Sequence, residues 1–333
     1  SCPQEWPLKE FARDHEIQET KKFYRGGKLV QIKTIKFTGE ASFGEKIKGK
    51  YIRHGEECVS AEIGALNRQN IVITLKNTDL EKQITDKIQE VYNRYAITEM
   101  VSAGITDPFL HFLYSGKKFN PLQVQILALV QAGLNDPYTL WKSPLLLSKK
   151  YKDVPLTINL LNEQVSGATL ITEILSEFNM EYAKKYVSKK MMKLKEIAEK
   201  FEKIVVISEY RETIIRTNEF LESNGFNTYL IHGGTNYNNR AIIKKAFEET
   251  QKGILCGTNT LAYGANLQSS AAIVQLDLPW NPATFEQRVK RIHRPGNLNE
   301  KNAFTITTNH PLEQRKEGHM KRKKDIAKKA LQI

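Results

Sequence analysis

Residues 203–308 alternate short apolar runs with amphipathic stretches, and the first of these runs is Ile204-Val205-Val206-Ile207. Apolar residues in an unbroken run are typical of a parallel strand that is covered on both faces. Further runs of this kind occur at 229–231, 254–256, 272–276 and 303–306. The alternation predicts an α/β fold, a parallel sheet with helices on both faces, whose functional loops follow the carboxyl ends of the strands.

The chain upstream of this sheet has a different character. Residues 78–200 are mostly helical in pattern, and Thr78-Asp79-Leu80-Glu81 has the form of a capping box that opens the first helix. The first 76 residues are irregular and basic, with one predicted strand at 69–75. The closing segment is predicted to be either a brace helix or a flexible basic tail, because Gly318 weakens the helical pattern.

Composition limits the class of protein. A net charge of +13 favours a polyanionic partner, of which nucleic acid is the commonest. Cys2, Cys58 and Cys256 are widely separated, so we expect neither a zinc site nor a disulfide, and we expect a reducing compartment. Without an apolar run of about 18 residues or a signal peptide, an intracellular protein with no membrane partner is expected. The compartment would be the cytoplasm for a bacterial or phage protein and the nucleus for a eukaryotic one.

Two motifs near the C-terminus carry the strongest chemical signal. The first is Leu276-Asp277-Leu278-Pro279-Trp280-Asn281-Pro282, and the second runs from Gln287 to Gly296. Gln287, Arg291 and Arg294 have the spacing i, i+4 and i+7, which predicts one helical face. Guanidinium groups bind phosphate oxygens in a planar fork, so this pair of arginines suits a nucleotide triphosphate, although a solvated basic face is the alternative.

The motifs that would complete a nucleotide site are absent from the sequence. No G-x-x-x-x-G-K-[ST] loop is present, and the nearest run, at 44–50, has the wrong glycine spacing. No Asp-Glu-x-His run is present either, and the chain does not begin with methionine. We therefore expect the chain to contain only part of a nucleotide site.

The second motif resembles the last motif of the SWI/SNF-type ATPases, helicase-like DNA translocases with the pattern W-N-P…Q-x-x-x-R-x-x-R-x-G. Other stretches resemble the same family in the same order along the chain. They are residues 2–8, Tyr51-Ile52-Arg53-His54 with Val59, Asn135-Asp136-Pro137, 188–191, 205–208 and 258–267. The chain departs from the family pattern at His54, Ala262 and Asn297.

The resemblance implies a domain division. Residues 1–76 would be the end of the first ATPase lobe with its linker, and residues 77–187 a helical insertion. Residues 188–310 would be the second RecA-like lobe, and residues 311–333 the basic brace helix or tail.

The resemblance also implies the ligands and their residues. ATP and Mg²⁺ would be held mainly by the missing first lobe, with no metal ligands in this chain. Arg291 and Arg294 would act as catalytic arginine fingers, and Gln287, Gly264 and Asn266 would contact ATP.

Double-stranded DNA would be held through its phosphates by the loops at the strand ends. The residues implied are Ser208, Arg211, His232, Gly233, Gly234, Thr258 and Asn259. For Gly233 and Gly234 a role in the turn alone is an equal alternative. For Trp280 and Asp277 we expect structural roles, in packing and in internal hydrogen bonding.

The function expected from these features is that of the C-terminal motor lobe of an ATP-dependent DNA translocase of the remodelling, annealing or repair kind. One alternative is the motor part of a restriction or phage-defence system, and another is a non-catalytic lobe that binds DNA or docks on a partner. Without the phosphate loop, the segment alone is expected not to hydrolyse ATP.

Overall fold

A computed structural model provides the structure of the chain. It describes residues 16–25, 28–37, 63–100, 105–115, 121–143, 155–156, 165–262 and 267–331. Contacts between Cα atoms divide the chain into two compact units, of which one is 60–319. The other contains an antiparallel hairpin of β1 (Glu16–Arg25) and β2 (Lys28–Phe37), together with the chain from Met320 onward.

A six-stranded parallel sheet forms the centre of the unit 60–319, with the order β3-β10-β9-β6-β8-β7. Its strands are β3 (Leu66–Ile73), β6 (Lys203–Ile207), β7 (Thr228–Ile231), β8 (Gly253–Gly257), β9 (Ala272–Gln275) and β10 (Lys301–Thr308). The short strands β4 (Pro155–Leu156) and β5 (Val165–Ser166) pair separately. The predicted parallel sheet is confirmed.

Ten helices accompany these strands in the described parts of the chain. The helical region before the sheet contains α1 (Leu80–Met100), α2 (Pro108–Tyr114), α3 (Pro121–Asn135), α4 (Gly167–Leu175) and α5 (Met180–Lys185). The sheet carries α6 (Lys189–Ala198), α7 (Arg211–Ser223), α8 (Tyr237–Glu249) and α9 (Pro282–Val289), and α10 (Pro311–Leu331) follows it. Short 3₁₀ helices occupy Pro137–Lys142 and Asn259–Ala262.

The two faces of the sheet are buried by different helices. Ile204 and Val206 face a cluster that includes Leu194 of α6 and Leu221 of α7. The alternate residues Val205 and Ile207 face a second cluster, with Phe247 of α8 and Val289 of α9. Because successive strand residues point to opposite faces, an apolar run without alternation is what a doubly covered strand requires.

One cysteine lies in the core of the sheet. Cys256 is fully buried in β8 and its sulfur is free of any disulfide. Burial raises the pKa of its thiol, so Cys256 is an inert core residue.

The edge strand of the large sheet comes from the first 76 residues of the chain. Strand β3 pairs along its whole length with β10, and it forms one edge of the large sheet. The residues that pair are more than 200 positions apart, so no local pattern could place β3 in this sheet. Residues 66–73 therefore belong structurally to the same sheet as residues 203–308.

The capping-box interpretation of Thr78–Glu81 is also corrected. Helix α1 begins at Leu80, and the Glu81 carboxylate does not return to the helix start. Its oxygens instead accept hydrogen bonds from Tyr186 Oη at 2.7 Å and Lys189 N at 2.6 Å. The Glu81 carboxylate, which the local motif predicts to cap the helix, is thus bound by residues more than 100 positions away.

The closing segment is a helix in the described residues. Helix α10 continues through Gly318, where an added Cβ would meet no atom within 4 Å. No helix in the described parts of the chain is both long enough and apolar enough to cross a membrane.

Candidate functional site

The carboxyl ends of three neighbouring strands meet at one edge of the sheet. Ser208 N, just after β6, donates a 3.2 Å hydrogen bond to Gly257 O, and Thr258 N, just after β8, donates one of 3.2 Å to Ile231 O. Residues predicted from three separate loops to contact DNA are therefore neighbours. We call this the strand-end edge, made by residues 208–211, 232–235 and 258–259.

The accessible residues of the strand-end edge lie after β6 and after β7. Arg211 has 58% of its side chain exposed, and Gly233 and Gly234 are exposed. A Cβ on Gly234 would lie 3.1 Å from His232 Cε1 and 3.9 Å from Arg211 Nη2. Glycine therefore allows the loop to pack closely against the imidazole, with the guanidinium beside it.

The loop after β7 is held in place by its own hydrogen bonds. Arg240 donates to Thr235 O at 2.7 Å and to Gly233 O at 3.0 Å, and Gly234 N donates to His232 Nδ1 at 3.0 Å. Burial, the charge of Arg211 and more weakly that of Arg240 lower the pKa of His232. The imidazole is consequently neutral at pH 7, which fits its role as an acceptor.

Two of the predicted DNA ligands have little free surface. Ser208 is fully buried, where its hydroxyl donates to Asp277 Oδ2 at 2.5 Å and accepts from Tyr210 N at 3.1 Å. Thr258 is 8% exposed, and its Oγ1 lies 3.1 Å from Thr260 Oγ1. The geometry does not support a direct phosphate contact for the Ser208 side chain, because its hydrogen-bonding capacity is used internally.

A buried arginine that the motif interpretation did not single out lies beneath the strand-end edge. The Arg288 side chain is fully buried, and its Nε and Nη2 both donate to Asn259 Oδ1, at 2.9 and 2.7 Å. Its guanidinium also forms ion pairs with Glu209 at 3.2 Å and Asp277 at 3.8 Å. A further bond of 3.1 Å reaches Gln275 Oε1. Arg288 thus connects the ends of β6, β8 and β9.

Asp277 is an internal partner, as expected from its sequence context. It is fully buried, and its carboxylate accepts from Ser208 Oγ, from Glu209 N at 3.0 Å and from Asn135 Nδ2 at 3.2 Å. Burial and the nearby Asp277 charge raise the pKa of Glu209, against the opposing charge of Arg288. Two carboxylates lie beside one buried guanidinium, so the protonation of each carboxylate depends on the charge of the other two groups.

The polar network continues into the helical region. Lys190 Nζ donates to Asn135 Oδ1 at 2.9 Å and to Glu313 Oε1 at 2.5 Å, with both members of the ion pair buried. Gln131 donates to the same Glu313 oxygen at 2.7 Å and accepts from Lys316 Nζ at 2.8 Å. Burial alone would raise the pKa of Glu313, but Lys190 and these hydrogen bonds outweigh it and lower the pKa. Asn135 and Lys190 both lie in segments that resembled family motifs.

Trp280 has the packing role expected for it. Its ring is partly buried against the apolar cluster of the helical region, and it forms an edge contact with His319 at a centroid distance of 5.9 Å. Lys316 Nζ lies 5.4 Å from the centre of the ring.

The two candidate arginine fingers do not lie on a helix, which corrects the helical-face prediction. Helix α9 ends at Val289, and the chain then turns, with Arg291 N donating to Arg288 O at 3.1 Å. The turn buries Ile292 completely and brings His293 Nε2 to 2.8 Å from Gly64 O. These tertiary contacts, and Pro295 just beyond, end the helix earlier than the periodicity suggested.

Arg291 and Arg294 are nevertheless close to each other. Burial and the charge of Arg294 both lower the pKa of Arg291, and Arg294 Nε donates to Lys290 O at 2.9 Å. We call residues 290–294 the arginine turn. Gln287 lies on the preceding helix with an exposed side chain.

The loop that contains two of the residues predicted to contact ATP is described only from Leu267 onward. Gly264 and Asn266 lie outside the described residues. The residue after them, Leu267, is fully buried, and its N donates to Arg291 O at 3.1 Å. The end of this loop is therefore attached to the arginine turn.

The arrangement suits phosphate recognition at two places, the strand-end edge and the arginine turn. Among the described residues, no group of three or more His, Cys, Asp and Glu side chains could hold a metal ion. Both places carry arginines, whose guanidinium groups bind phosphate without needing a metal.

Part of the chain is similar in sequence to known proteins. Residues 189–296 match the family model of the Helicase conserved C-terminal domain. A 113-residue segment is 33% identical to the uncharacterized ATP-dependent helicase YqhH of Bacillus subtilis, covering 34% of this chain and 20% of that protein. A 117-residue segment is 26% identical to the DNA repair and recombination protein RAD54B of Mus musculus, covering 34% of this chain and 13% of that protein.

Further relatives, 22–24% identical, are named ATP-dependent RNA helicases. The matches span less than a third of the length of these curated relatives.

A solved structure agrees in fold. The C-terminal part of the Fun30 ATPase domain superposes with a TM-score of 0.54 at 17% identity, covering 78% of this chain and 90% of that one. The parallel sheet, the strand-end edge and the arginine turn lie within or beside the segment that the family model matches. Residues 189–296 therefore match a helicase C-terminal domain in sequence, and the chain around them has a RecA-like α/β fold.

Proposed function

We propose that this lobe belongs to an ATP-dependent DNA translocase of SWI/SNF type, in which it supplies two arginines to ATP hydrolysis and holds duplex DNA by its phosphates. The observation that carries the proposal is the pairing of an arginine turn with a separate, exposed strand-end edge, joined by Arg288. The resemblance to RAD54B favours DNA as the polymer.

The nucleotide side of the proposal rests on the arginine turn. Arg291 and Arg294 would neutralise charge that develops on the γ-phosphate, which is typically worth about 10³–10⁵ in rate for an arginine finger. Gln287, Gly264 and Asn266 would contact ATP beside them. ATP and Mg²⁺ would be held mainly by a first lobe with its own phosphate loop, since this sequence contains none.

The nucleic-acid side rests on the exposed residues of the strand-end edge. Arg211 would bind a phosphate directly, and the N–H groups at Gly233 and Gly234 would approach the backbone closely. Asn259 would also contact the DNA backbone from beneath the edge, where its amide oxygen accepts a hydrogen bond from Arg288. Such contacts read no base, so binding would be independent of sequence and weakened by salt.

The nucleic-acid experiment measures the affinity of the 333-residue chain for two unrelated DNA duplexes over a range of salt concentrations. We expect similar affinities and a linear fall of log K with log salt. Arg211→Ala should weaken both complexes and reduce the salt slope by about one. Lys82→Ala on α1, which is paired with Asp86, serves as the control and should leave binding unchanged. A base preference that persists at high salt would contradict the proposal.

The ATPase experiment has two parts. The 333-residue chain alone should not hydrolyse ATP, so DNA-stimulated turnover by this chain would refute the assignment of the phosphate loop to another lobe. In a longer form that includes such a lobe, Arg294→Ala should lower kcat strongly while DNA affinity stays nearly constant. A parallel fall of both quantities would make Arg294 a DNA ligand or a structural residue.

RNA is the second candidate polymer, because several relatives are named RNA helicases. Binding to DNA and RNA duplexes of the same sequence decides between them. Stronger binding of the RNA duplex at equal salt would replace DNA with RNA in the proposal.

A further inference from the structure

Residues 63–65, which enter the large sheet just before β3, are hydrogen-bonded to the chain in and after the arginine turn. Gly64 O lies 2.8 Å from His293 Nε2, and Gly64 N donates to Asn297 O at 2.9 Å. The same segment forms a parallel bridge to Asn297 and accepts a 2.8 Å hydrogen bond from Lys301 N. We call residues 63–65 the strap.

Glycine is required at the centre of the strap. A Cβ on Gly64 would lie 2.4 Å from Asn299 O and 2.5 Å from Leu298 O, and both of these are backbone atoms. A backbone carbonyl cannot rotate aside as a flexible side chain can. Only a residue without a Cβ therefore allows the strap to pack this closely against the chain that follows the arginine turn.

His293 is the residue of the arginine turn that reaches the strap. It is only 6% exposed, and because Gly64 O can only accept, its Nε2 is the donor. The backbone hydrogen bonds of the turn itself span only three or four residues. The like charges of Arg291 and Arg294 repel each other across the turn. A hydrogen bond from outside the turn therefore helps to set its conformation.

The end of the loop after β8 is fixed at the same place. Leu267 N donates to Arg291 O at 3.1 Å. The carbonyl of the next residue, Gln268, accepts from Asn297 Nδ2 at 2.9 Å and from the buried Lys301 Nζ at 2.6 Å. Asn297 and Lys301 thus join the strap to the loop end, which is itself bonded to the arginine turn.

The place of the strap along the chain gives these contacts a consequence. The boundary between the two compact units lies between Val59 and Ser60, just before the strap. In the proposed function, the first lobe precedes this lobe along the chain. The strap is then the first part of this lobe to feel a change in the path of the chain that connects the two.

We propose that the strap positions the arginine turn, with His293 as the positioning residue. His293 does not contact ATP in this assignment. It fixes the backbone from which the Arg291 and Arg294 side chains extend, so a shift of the strap moves both guanidinium groups together. The effect on ATP hydrolysis rests on the proposed function, but the connection itself can be measured in the 333-residue chain.

The first experiment measures amide hydrogen exchange in the 333-residue chain by NMR. In His293→Leu, the amides of Arg291 and Leu267 should exchange at least tenfold faster than in wild type, because the turn opens more often. His293→Gln keeps an N–H donor near the Nε2 position and should stay within threefold of wild type. The amide of Val205, at the centre of the sheet, should not change in either variant.

Two further variants make the result independent of one substitution. Gly64→Ala disturbs the same contact from the strap side, so it should accelerate exchange of the same amides. His310→Leu is the matched control, since His310 is also a buried histidine, but its ring bonds locally, accepting from Leu312 N at 3.1 Å. It should leave exchange in the arginine turn within threefold of wild type.

The second experiment measures ATP hydrolysis in a longer form that includes a first lobe. His293→Leu should lower kcat at least tenfold while the KM for ATP and the DNA affinity stay within threefold, because the arginine side chains are present but misplaced. His293→Gln should restore most of the lost kcat. A purely structural role would instead lower the amount of folded enzyme and leave kcat per folded molecule unchanged.

Several outcomes would overturn the inference. One is unchanged exchange in the arginine turn for both His293→Leu and Gly64→Ala. Uniform acceleration that includes Val205, or loss of folding in both variants, would show that the contact stabilises the whole unit instead. An unchanged kcat for His293→Leu, where Arg294→Ala lowers kcat, would also overturn it. Failure of the proposed function looks different: Arg294→Ala would leave kcat unchanged, while the local exchange effect would remain.

Discussion

Replacing Arg288 by methionine tests whether the buried network stabilises the strand-end edge. The Arg288 side chain is fully buried and forms ion pairs with Glu209 at 3.2 Å and with the fully buried Asp277 at 3.8 Å. Methionine is unbranched and of roughly similar volume but has no charge, so the variant leaves the Asp277 carboxylate buried without the Arg288 guanidinium. Removing one member of a buried pair costs about 3–5 kcal/mol.

The lower end of that range is expected for Arg288→Met. Asp277 keeps its hydrogen bonds from Ser208, Glu209 N and Asn135, and the Glu209 side chain is 25% exposed and can be solvated. A loss of about 3 kcal/mol corresponds to a fall in melting temperature of about 6–12 °C, at 2–4 °C per kcal/mol for a unit of this size. Urea denaturation followed by circular dichroism measures the free energy of unfolding.

The matched control is another arginine paired with a glutamate at the surface. Arg68 makes a two-pronged contact with Glu286, at 3.2 and 2.8 Å, but the two side chains are 38% and 29% exposed. Arg68→Met should therefore cost at most about 1 kcal/mol. Adding Asp277→Asn to Arg288→Met should recover part of the loss, because no uncompensated charge then remains. A loss below about 1 kcal/mol for Arg288→Met, or equal losses for the two arginines, would refute the reasoning.

Two further predictions concern pH and packing. Burial raises the pKa of Asp136 to about 6 and lowers that of His310 to about 4. The folded chain therefore holds the Asp136 proton more tightly than the unfolded chain, and this contribution to stability is lost as pH rises from about 4 to 6. His310 contributes in the opposite direction, since its stabilising effect is lost as pH falls from about 6.5 to 4. As pH rises from 4 to 6, the free energy of unfolding of Asp136→Asn should increase relative to wild type by up to about 3 kcal/mol, at 1.36 kcal/mol per pKa unit. Over the same rise in pH, the free energy of unfolding of His310→Gln should decrease relative to wild type. Parallel urea-denaturation curves at every pH would contradict both signs. Gly257→Ala would place its Cβ 2.2 Å from Leu261 Cδ1, so we expect a destabilisation of about 1–3 kcal/mol, and an unchanged melting temperature would show that Leu261 moves freely.

The fold of residues 203–308 could be predicted because the local sequence pattern is enough to identify each strand. A doubly covered parallel strand needs an unbroken apolar run, and Ile204–Ile207, Ile254–Cys256 and Ala272–Leu276 each contain one. The structure places strands at Lys203–Ile207, Gly253–Gly257 and Ala272–Gln275. Pattern and structure differ here only at strand ends, which depend on loops that the pattern does not encode.

The place of the edge strand β3 in the large sheet and the end of α9 could not be predicted, since both depend on distant parts of the chain. β3 has an exposed, polar pattern, and its place is set by pairing with β10. The i, i+4, i+7 spacing of Gln287, Arg291 and Arg294 fits a helix equally well whether or not the chain turns at Lys290. What decides the turn is the burial of Ile292 and the contact between His293 and Gly64, which is 229 residues away.

The candidate site was partly predictable for the same reason. Exposed residues after strands, such as Arg211 and Gly234, could be placed at the strand-end edge because parallel strands end together. The buried polar residues could not be found in this way, because a lysine or glutamate in a sequence does not show whether it is solvated. Lys190 and Glu313 are 123 positions apart, and only the fold brings them to 2.5 Å.

Arg288 gives the site a short physical connection between its two halves. Its guanidinium holds Asn259 Oδ1 on the strand-end edge, and its carbonyl accepts the N–H of Arg291 at the start of the arginine turn. The next step along the chain is equally short, because the Arg291 carbonyl accepts from Leu267 N, where the loop that begins after Asn259 returns. A displacement of Asn259 can therefore reach the arginine turn through the buried side chain of Arg288. In the proposed function, contacts of this kind would couple the nucleic-acid site to the nucleotide site. Because this route is a single side chain, Arg288→Met tests the connection as well as the stability.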